Sequence, residues 1–238
     1  MKQLLLIISV ISSTITWAAS FEEANKLFQE KKYDQAITAF EVYLDDHNDI
    51  AGYYNLGLAY HETNAHGKAV WAFQKVLKLN PKDDAAWEQF KMCQNDIDPN
   101  KETKPILSSF ESNLYSLSST TWSILAMISA ILLSSLLIAT YKFTLKRKAL
   151  GVSSVASSIL LVLLIIIASK TNNFENHEYA IAVAETHVLD TETHNPTNKI
   201  ILEGERFDLI ERIDNNYLMV RDDLGVQEIV PAKDFKSI

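Results

Sequence analysis

Cys93 is the only cysteine in 238 residues. A lone thiol cannot close a disulfide within the chain or build a thiolate metal cluster, so Cys93 is expected as a small buried apolar side chain. Glycine (6) and proline (5) are also sparse, and the sequence holds neither a Gly-rich phosphate loop nor a nucleophile elbow. None of the six histidines, His47, His61, His66, His177, His187 and His194, forms the i, i+4 pair around a carboxylate that zinc proteases need. His187, Asp190, Glu192 and His194 crowd one segment, read here as a solvated polar loop rather than a metal site. No Cys–His arrangement for nucleophilic chemistry stands out either. The expectation is a protein with no catalytic residue, no metal and no cofactor, and not an enzyme. Basic stripes are missing too: the formal net charge is −8, which excludes nucleic acid as the main ligand because phosphate binding needs clustered Lys and Arg.

What the chain does hold is two long uncharged runs, residues 121–141 and 149–169, joined by residues 142–148 with Lys142, Lys146, Arg147 and Lys148. About 20 apolar residues in a helix cross the hydrocarbon core of a bilayer, so the pair is predicted to be a transmembrane hairpin in contact with the lipid bilayer. A short basic loop stays cytoplasmic, which places both flanking segments outside. Small residues at Ala126, Ala130 and Ser134 offer a face for close packing of the two spans. Residues 1–19 begin Met1-Lys2, continue through an apolar stretch and end in Ala18-Ala19. They are predicted to be a signal peptide, and an uncleaved anchor there would export the next segment equally well. The expected location is a bacterial inner (cytoplasmic) membrane, with the N- and C-terminal domains on the outer, periplasmic side.

Residues 20–98 repeat. Tyr53, Leu56, Gly57, Tyr60, Ala69, Phe73 and Pro81 fall at the spacings of a 34-residue helical repeat, and a shift of about 33 lands Gly57 on Ala24, Tyr60 on Leu27, Ala69 on Ala36 and Phe73 on Phe40. A third amphipathic helix with Trp87 and Phe90 follows as a cap, because two repeats cannot bury both end faces. The segment resembles tetratricopeptide repeats. That resemblance implies a concave peptide-binding groove, lined here by Phe21, Asn25, Phe28, Tyr54, Leu58, His61, Glu88 and Met92. Relatives that clamp a carboxylate use asparagines at Asn25 and Asn55 with several cations, and here Phe21, Ala85 and Gln89 stand at the cation positions. The implied groove is therefore mostly apolar, the alternative being that its aromatics pack against membrane-proximal chain or another subunit. Residues 99–120 are expected as a linker, with an interfacial helix in its apolar part.

From residue 176 to 238 the period changes to two, with β-rich runs near Tyr179 and at 199–202, 207–212, 217–221 and 228–230. The segment resembles the bacterial SH3-like barrel, although Tyr217 stands where that family often has tryptophan and Glu228-Ile229 where it often has Gly-Trp. The resemblance implies a ligand face at Tyr217. The fold class is thus a multidomain membrane protein: an all-α tetratricopeptide domain, a transmembrane helical hairpin and a small all-β barrel. In that order the segments resemble the Bat-type aerotolerance protein E family. The family likeness implies an envelope-stress scaffold whose partners are membrane proteins with von Willebrand type A domains and a MoxR-like ATPase. A cell-wall sensor gripping peptidoglycan through the barrel is the alternative.

Overall fold

The computed structural model describes residues 21–100, 109–142 and 147–238. The signal-peptide reading at residues 1–19 and the middle of the basic loop lie outside these.

Five helices open the described chain: α1 (Phe21–Gln29), α2 (Tyr33–Asp46), α3 (Ile50–Glu62), α4 (His66–Leu79) and α5 (Asp84–Ile97). Asp49 and Asp83 cap α3 and α5 by accepting from the backbone N–H of Gly52 and Ala86, each at 2.9 Å. Lys31 and Asn64 take left-handed φ of 59° and 58° in the α1–α2 and α3–α4 turns, so the repeat reaches the turn conformation itself. The residues paired by the sequence shift, Ala24, Ala36, Phe40, Ala69 and Phe73, are fully buried in one core with Leu56, Tyr60, Ala86, Phe90 and Cys93. At Gly57 α3 and α4 cross closely, because a Cβ there would lie 2.8 Å from the Phe73 ring.

A short helix α6 (Ser109–Tyr115) precedes the two long apolar ones, α7 (Ser119–Lys142) and α8 (Arg147–Asn176). Both are long and apolar enough to cross a membrane: residues Ser119–Ala139 and Ser153–Asn176 have mean hydropathies of 2.2 and 2.1, with only 11% and 6% of residues buried. Ile131, Leu132, Ile138 and Val155 point outward. The helices pair antiparallel, since the Ser119 backbone N–H and hydroxyl both donate to the Glu175 carboxylate at the far end of α8. Ala126 and Ser129 are the buried small residues of α7, whereas Ser134 of the expected Ala126–Ala130–Ser134 face is exposed. A 3.6-residue period drifts off a strict four-residue row, and 3-and-4 spacing keeps the contact. α8 continues past Ser169, where the uncharged run ends. Tyr115 stacks on Phe174 at 5.2 Å and Trp122 Nε1 donates to the Leu114 carbonyl at 2.9 Å, which gathers aromatic rings at this end of the pair.

Seven antiparallel strands follow: β1 (Tyr179–Ala182), β2 (Thr186–Leu189), β3 (Pro196–Ile201), β4 (Arg206–Arg212), β5 (Tyr217–Arg221), β6 (Gln227–Pro231) and β7 (Phe235–Ser237), in the sheet order β3-β2-β6-β5-β4-β1-β7. All seven send side chains into one core: Ala180, Ala182, Val188, Ile201, Phe207, Leu218, Val220, Val230 and Phe235. The sheet therefore curls around its own apolar face. β2 includes His187, in a stretch whose charged flanks mask its alternation.

The repeats and the sheet are not separate bodies. Ile181 and Ile238 are buried in the same cluster as the helical core, and Tyr179 and Val183 pack against it. The contact lies mainly along α4, and nothing in the alternation or the repeat spacing announces it.

Candidate interaction surfaces

Three surfaces matter, and each follows from which helix faces the sheet covers. The first is the joint itself. Trp71 of α4 donates from Nε1 to the Ser237 carbonyl at 3.0 Å, and Gln94 of α5 donates from Nε2 to the Gly204 carbonyl at 2.8 Å. Lys78 Nζ reaches the carbonyls of His177 and Ile238 at 2.6 and 3.0 Å. The Gly67 backbone N–H donates to Glu203 at 3.2 Å. Two glycines allow this approach, as a Cβ at Gly67 would lie 2.8 Å from Glu203 and one at Gly204 would lie 2.8 Å from Gln94.

Charge chemistry is concentrated in the same place. Lys236 Nζ sits 4.4 Å over the Trp71 ring and 3.0 Å from Glu41, which also accepts from the Tyr60 hydroxyl. Burial pushes the Glu41 carboxyl up, but the Tyr60 and Lys236 hydrogen bonds outweigh it and hold the group below the usual carboxylate range. Burial also raises Tyr60, with Glu41 adding to the effect, and lowers Lys78, where Glu178 partly offsets it. Beside the joint a cleft of about 650 Å³ remains open, lined in part by Glu41, Asp45, Trp71, Lys75, Arg212 and Lys236.

The second surface is the set of groove residues expected from the sequence, carried on α1, α3 and α5. Leu58 is half-buried and Met92 is 49% exposed. Others are partly consumed by internal packing. Phe21 lies 6.2 and 5.7 Å from the rings of Phe40 and Tyr43, Phe28 meets Tyr33 edge-on at 5.5 Å, and Tyr54 meets Phe73 edge-on at 5.7 Å. Asn55 donates to Asn25 at 2.6 Å, and Glu88 is paired with Lys91 at 2.6 Å. His61 contacts Asp96 at 3.1 Å. Of the expected apolar groove residues Met92 is the exposed one, while Leu58, Phe21, Phe28 and Tyr54 are partly buried against the helical core.

The third surface is on the sheet. Tyr217 borders a cleft of about 370 Å³ with His194, Pro196, Asn215, Asn216 and Lys233, and its ring lies 4.7 Å from that of His194. His194, read from the sequence as part of a solvated loop, is therefore a neighbour of the expected ligand face. Its loop companions are engaged in local hydrogen bonds. Asp190 accepts from the backbone N–H groups of Glu192 and Thr193 at 3.1 and 2.8 Å, and His187 Nδ1 lies 3.0 Å from the Thr197 carbonyl.

The fold also makes a juxtaposition invisible along the chain. His61, His66 and Cys93 each place one potential ligand atom within 4.8 Å of the others. Burial, with the Asp96 charge adding to it, pushes the Cys93 thiol up to about 12.

Residues 50–83 match the family model of the tetratricopeptide repeat, which spans α3, α4 and the turn after them. No curated protein and no solved structure matches the chain. The helical geometry and this match together define a chain that carries a tetratricopeptide repeat, a unit that serves protein–protein interaction. Beside it stand two apolar helices and an antiparallel sheet.

Proposed function

We propose that this protein is a non-enzymatic, membrane-anchored scaffold of the bacterial envelope, held in the inner membrane by α7 and α8 and recruiting protein partners through the inner face of its repeats. The observation that carries the reading is the division of the helical surface. The sheet occupies the face around Trp71 and Lys78, and among the expected groove residues Met92 leaves apolar surface open to a partner, with Leu58 half-buried. A joint between the segments before α7 and after α8 supports a hairpin with both on the same side of a membrane that the two helices cross, and the basic residues between the helices give that side as the outer one. The likeness to Bat-type aerotolerance protein E makes membrane proteins with von Willebrand type A domains the expected partners, in envelope-stress tolerance.

The test of recruitment is Met92→Glu in the full-length protein, followed by affinity purification from membranes. An unpaired carboxylate forced into an apolar contact costs on the order of several kcal/mol, enough to eject a ligand bound at about micromolar affinity. The partners should disappear while the circular dichroism spectrum stays unchanged, and recovery of the full set would refute the groove. Topology is tested by single cysteine substitutions at Asn100 and Glu185 in a Cys93→Ala background. Both should react with a membrane-impermeant maleimide in intact spheroplasts, and protection of either refutes the arrangement.

The second reading, peptidoglycan recognition by an SH3-like barrel, is favoured by the aromatic cleft at Tyr217 and His194. Sedimentation with purified peptidoglycan, abolished by Tyr217→Ala, would support it.

A further inference from the structure

The joint between repeats and sheet has a cluster of ligand-type side chains at its border that the proposed scaffold role does not use. His61 lies in the last turn of α3 and His66 is the first residue of α4. The left-handed Asn64 between them folds the turn back so that the two rings meet at 5.5 Å. Cys93 and Asp96 stand one helical turn apart on α5, which packs against α4. Cys93 is fully buried, and its Sγ lies within 4.8 Å of one ring nitrogen of each histidine. Asp96 Oδ2 lies 3.1 Å from His61 Nε2 and 3.8 Å from His66 Nδ1.

One atom of this group is unexplained by protein contacts: His66 Nδ1 is buried and has no hydrogen-bond partner. Native structures rarely leave such an atom orphaned. A bound cation would supply its partner and would draw on the three neighbours already facing it.

We propose that His61, His66, Cys93 and Asp96 form a tetrahedral site for a zinc-class divalent transition metal. The ligand set is one thiolate, two imidazoles and one carboxylate, a borderline-soft combination that suits zinc or cobalt(II) and not magnesium or calcium. Bonds of about 2.0 to 2.3 Å place tetrahedral ligands roughly 3.3 to 3.8 Å from one another. Asp96 Oδ2 lies 3.1 and 3.8 Å from the two imidazole nitrogens, near that spacing, and the Cys93 thiol, within 4.8 Å of one nitrogen of each histidine, would close on them by side-chain rotation. On binding, the Cys93 S–H bond breaks, the proton passes to solvent, and a sulfur–metal bond forms. The imidazoles coordinate through neutral lone pairs and nothing is oxidised or reduced. Thiolate and carboxylate together neutralise a dication, which suits a site whose thiol is fully buried. The metal would clip the α3–α4 turn to α5, beside Gly67 and Gln94, the residues that hold Glu203 and Gly204 of the sheet.

The experiment is cobalt(II) titration of the full-length, chelator-treated protein in detergent micelles. Because Cys93 is the chain's only cysteine, a thiolate-to-cobalt charge-transfer band in the near ultraviolet can come from this site alone. The expected result is that band, with the intense visible bands of tetrahedral cobalt, saturating at one equivalent and bleached by zinc. Cys93→Ala should abolish the charge-transfer band, and His66→Gln should weaken cobalt binding about tenfold or more. Circular dichroism checks that each variant is folded. A wild-type titration without the charge-transfer band overturns the proposal whatever the variants do, and so does a band that survives in Cys93→Ala.

Discussion

Replacing Gly204 by alanine should loosen the joint between repeats and sheet, and the structure allows the effect to be divided into two parts. Gly204 has φ of 76°, a conformation that costs an L-residue about 1 to 2 kcal/mol. The added Cβ would also lie 2.8 Å from Gln94 Nε2 and 2.9 Å from Ile97 Cδ1. Gln94 is 4% exposed and donates to the Gly204 carbonyl, so displacing it strands a buried amide at a further cost of about 1 to 3 kcal/mol. Gly225 supplies the control. Its φ is 86°, but a Cβ there meets nothing within 4 Å, so Gly225→Ala carries the backbone cost alone. The stiffening of the unfolded chain, about 0.4 to 1 kcal/mol in alanine's favour, is common to both and cancels. Thermal unfolding of the full-length protein in detergent should therefore show Gly204→Ala melting several degrees below Gly225→Ala, at about 2 to 4 °C per kcal/mol. In a Gln94→Ala background the extra loss should shrink, since the two residues share one contact. Equal losses at the two glycines, or full additivity with Gln94→Ala, would refute this account of the joint.

Gly57→Ala should destabilise by about 1 to 3 kcal/mol despite alanine's better helix propensity, because the fully buried Phe73 ring 2.8 Å away cannot move aside. An unchanged melting temperature would mean that α3 and α4 do not cross there. The Glu41 contact predicts an acid sensitivity. Its folded carboxyl is held below the ordinary value of 4.5, so the unfolded chain binds the proton more readily. The stability from this contact is complete above that value and is lost as pH falls through the folded one. A melting series across this acid range should be shallower in Glu41→Gln, and identical slopes would remove Glu41 from the account.

Much of this architecture is legible in the sequence because it rests on local periodicity. Gly57, Ala69 and Phe73 announce a close helix crossing by size and spacing, and two charge-free runs announce long apolar helices by composition. The joint is different. Trp71 and Lys78 read along the chain as ordinary positions of an amphipathic helix, and Gly204 reads as a turn glycine between two glutamates. Only their partners, 99 to 166 residues away, reveal what they do. One hint was available: Trp71 is a large aromatic on a face that a free repeat would leave wet, yet it is 9% exposed. The histidine–cysteine cluster was illegible for the same reason, as His66 and Cys93 are ligand-type residues whose proximity depends on α5 folding back across α4. Strand β2 was lost to its flanks, where Glu185 and Asp190 bracket four residues.

Only His177 and Glu178 separate the end of α8 at Asn176 from the start of β1 at Tyr179. β1 is hydrogen-bonded between β4 and β7, and its Ile181 side chain is locked into the helical core. His177 is itself fastened twice, through Lys78 on its carbonyl and Asp208 on its ring. So short a coupling behaves as a stiff shaft rather than a tether. A partner docked on the repeats, as proposed above, would meet no slack chain between itself and α8, so a twist of the repeats would be passed to that helix rather than absorbed.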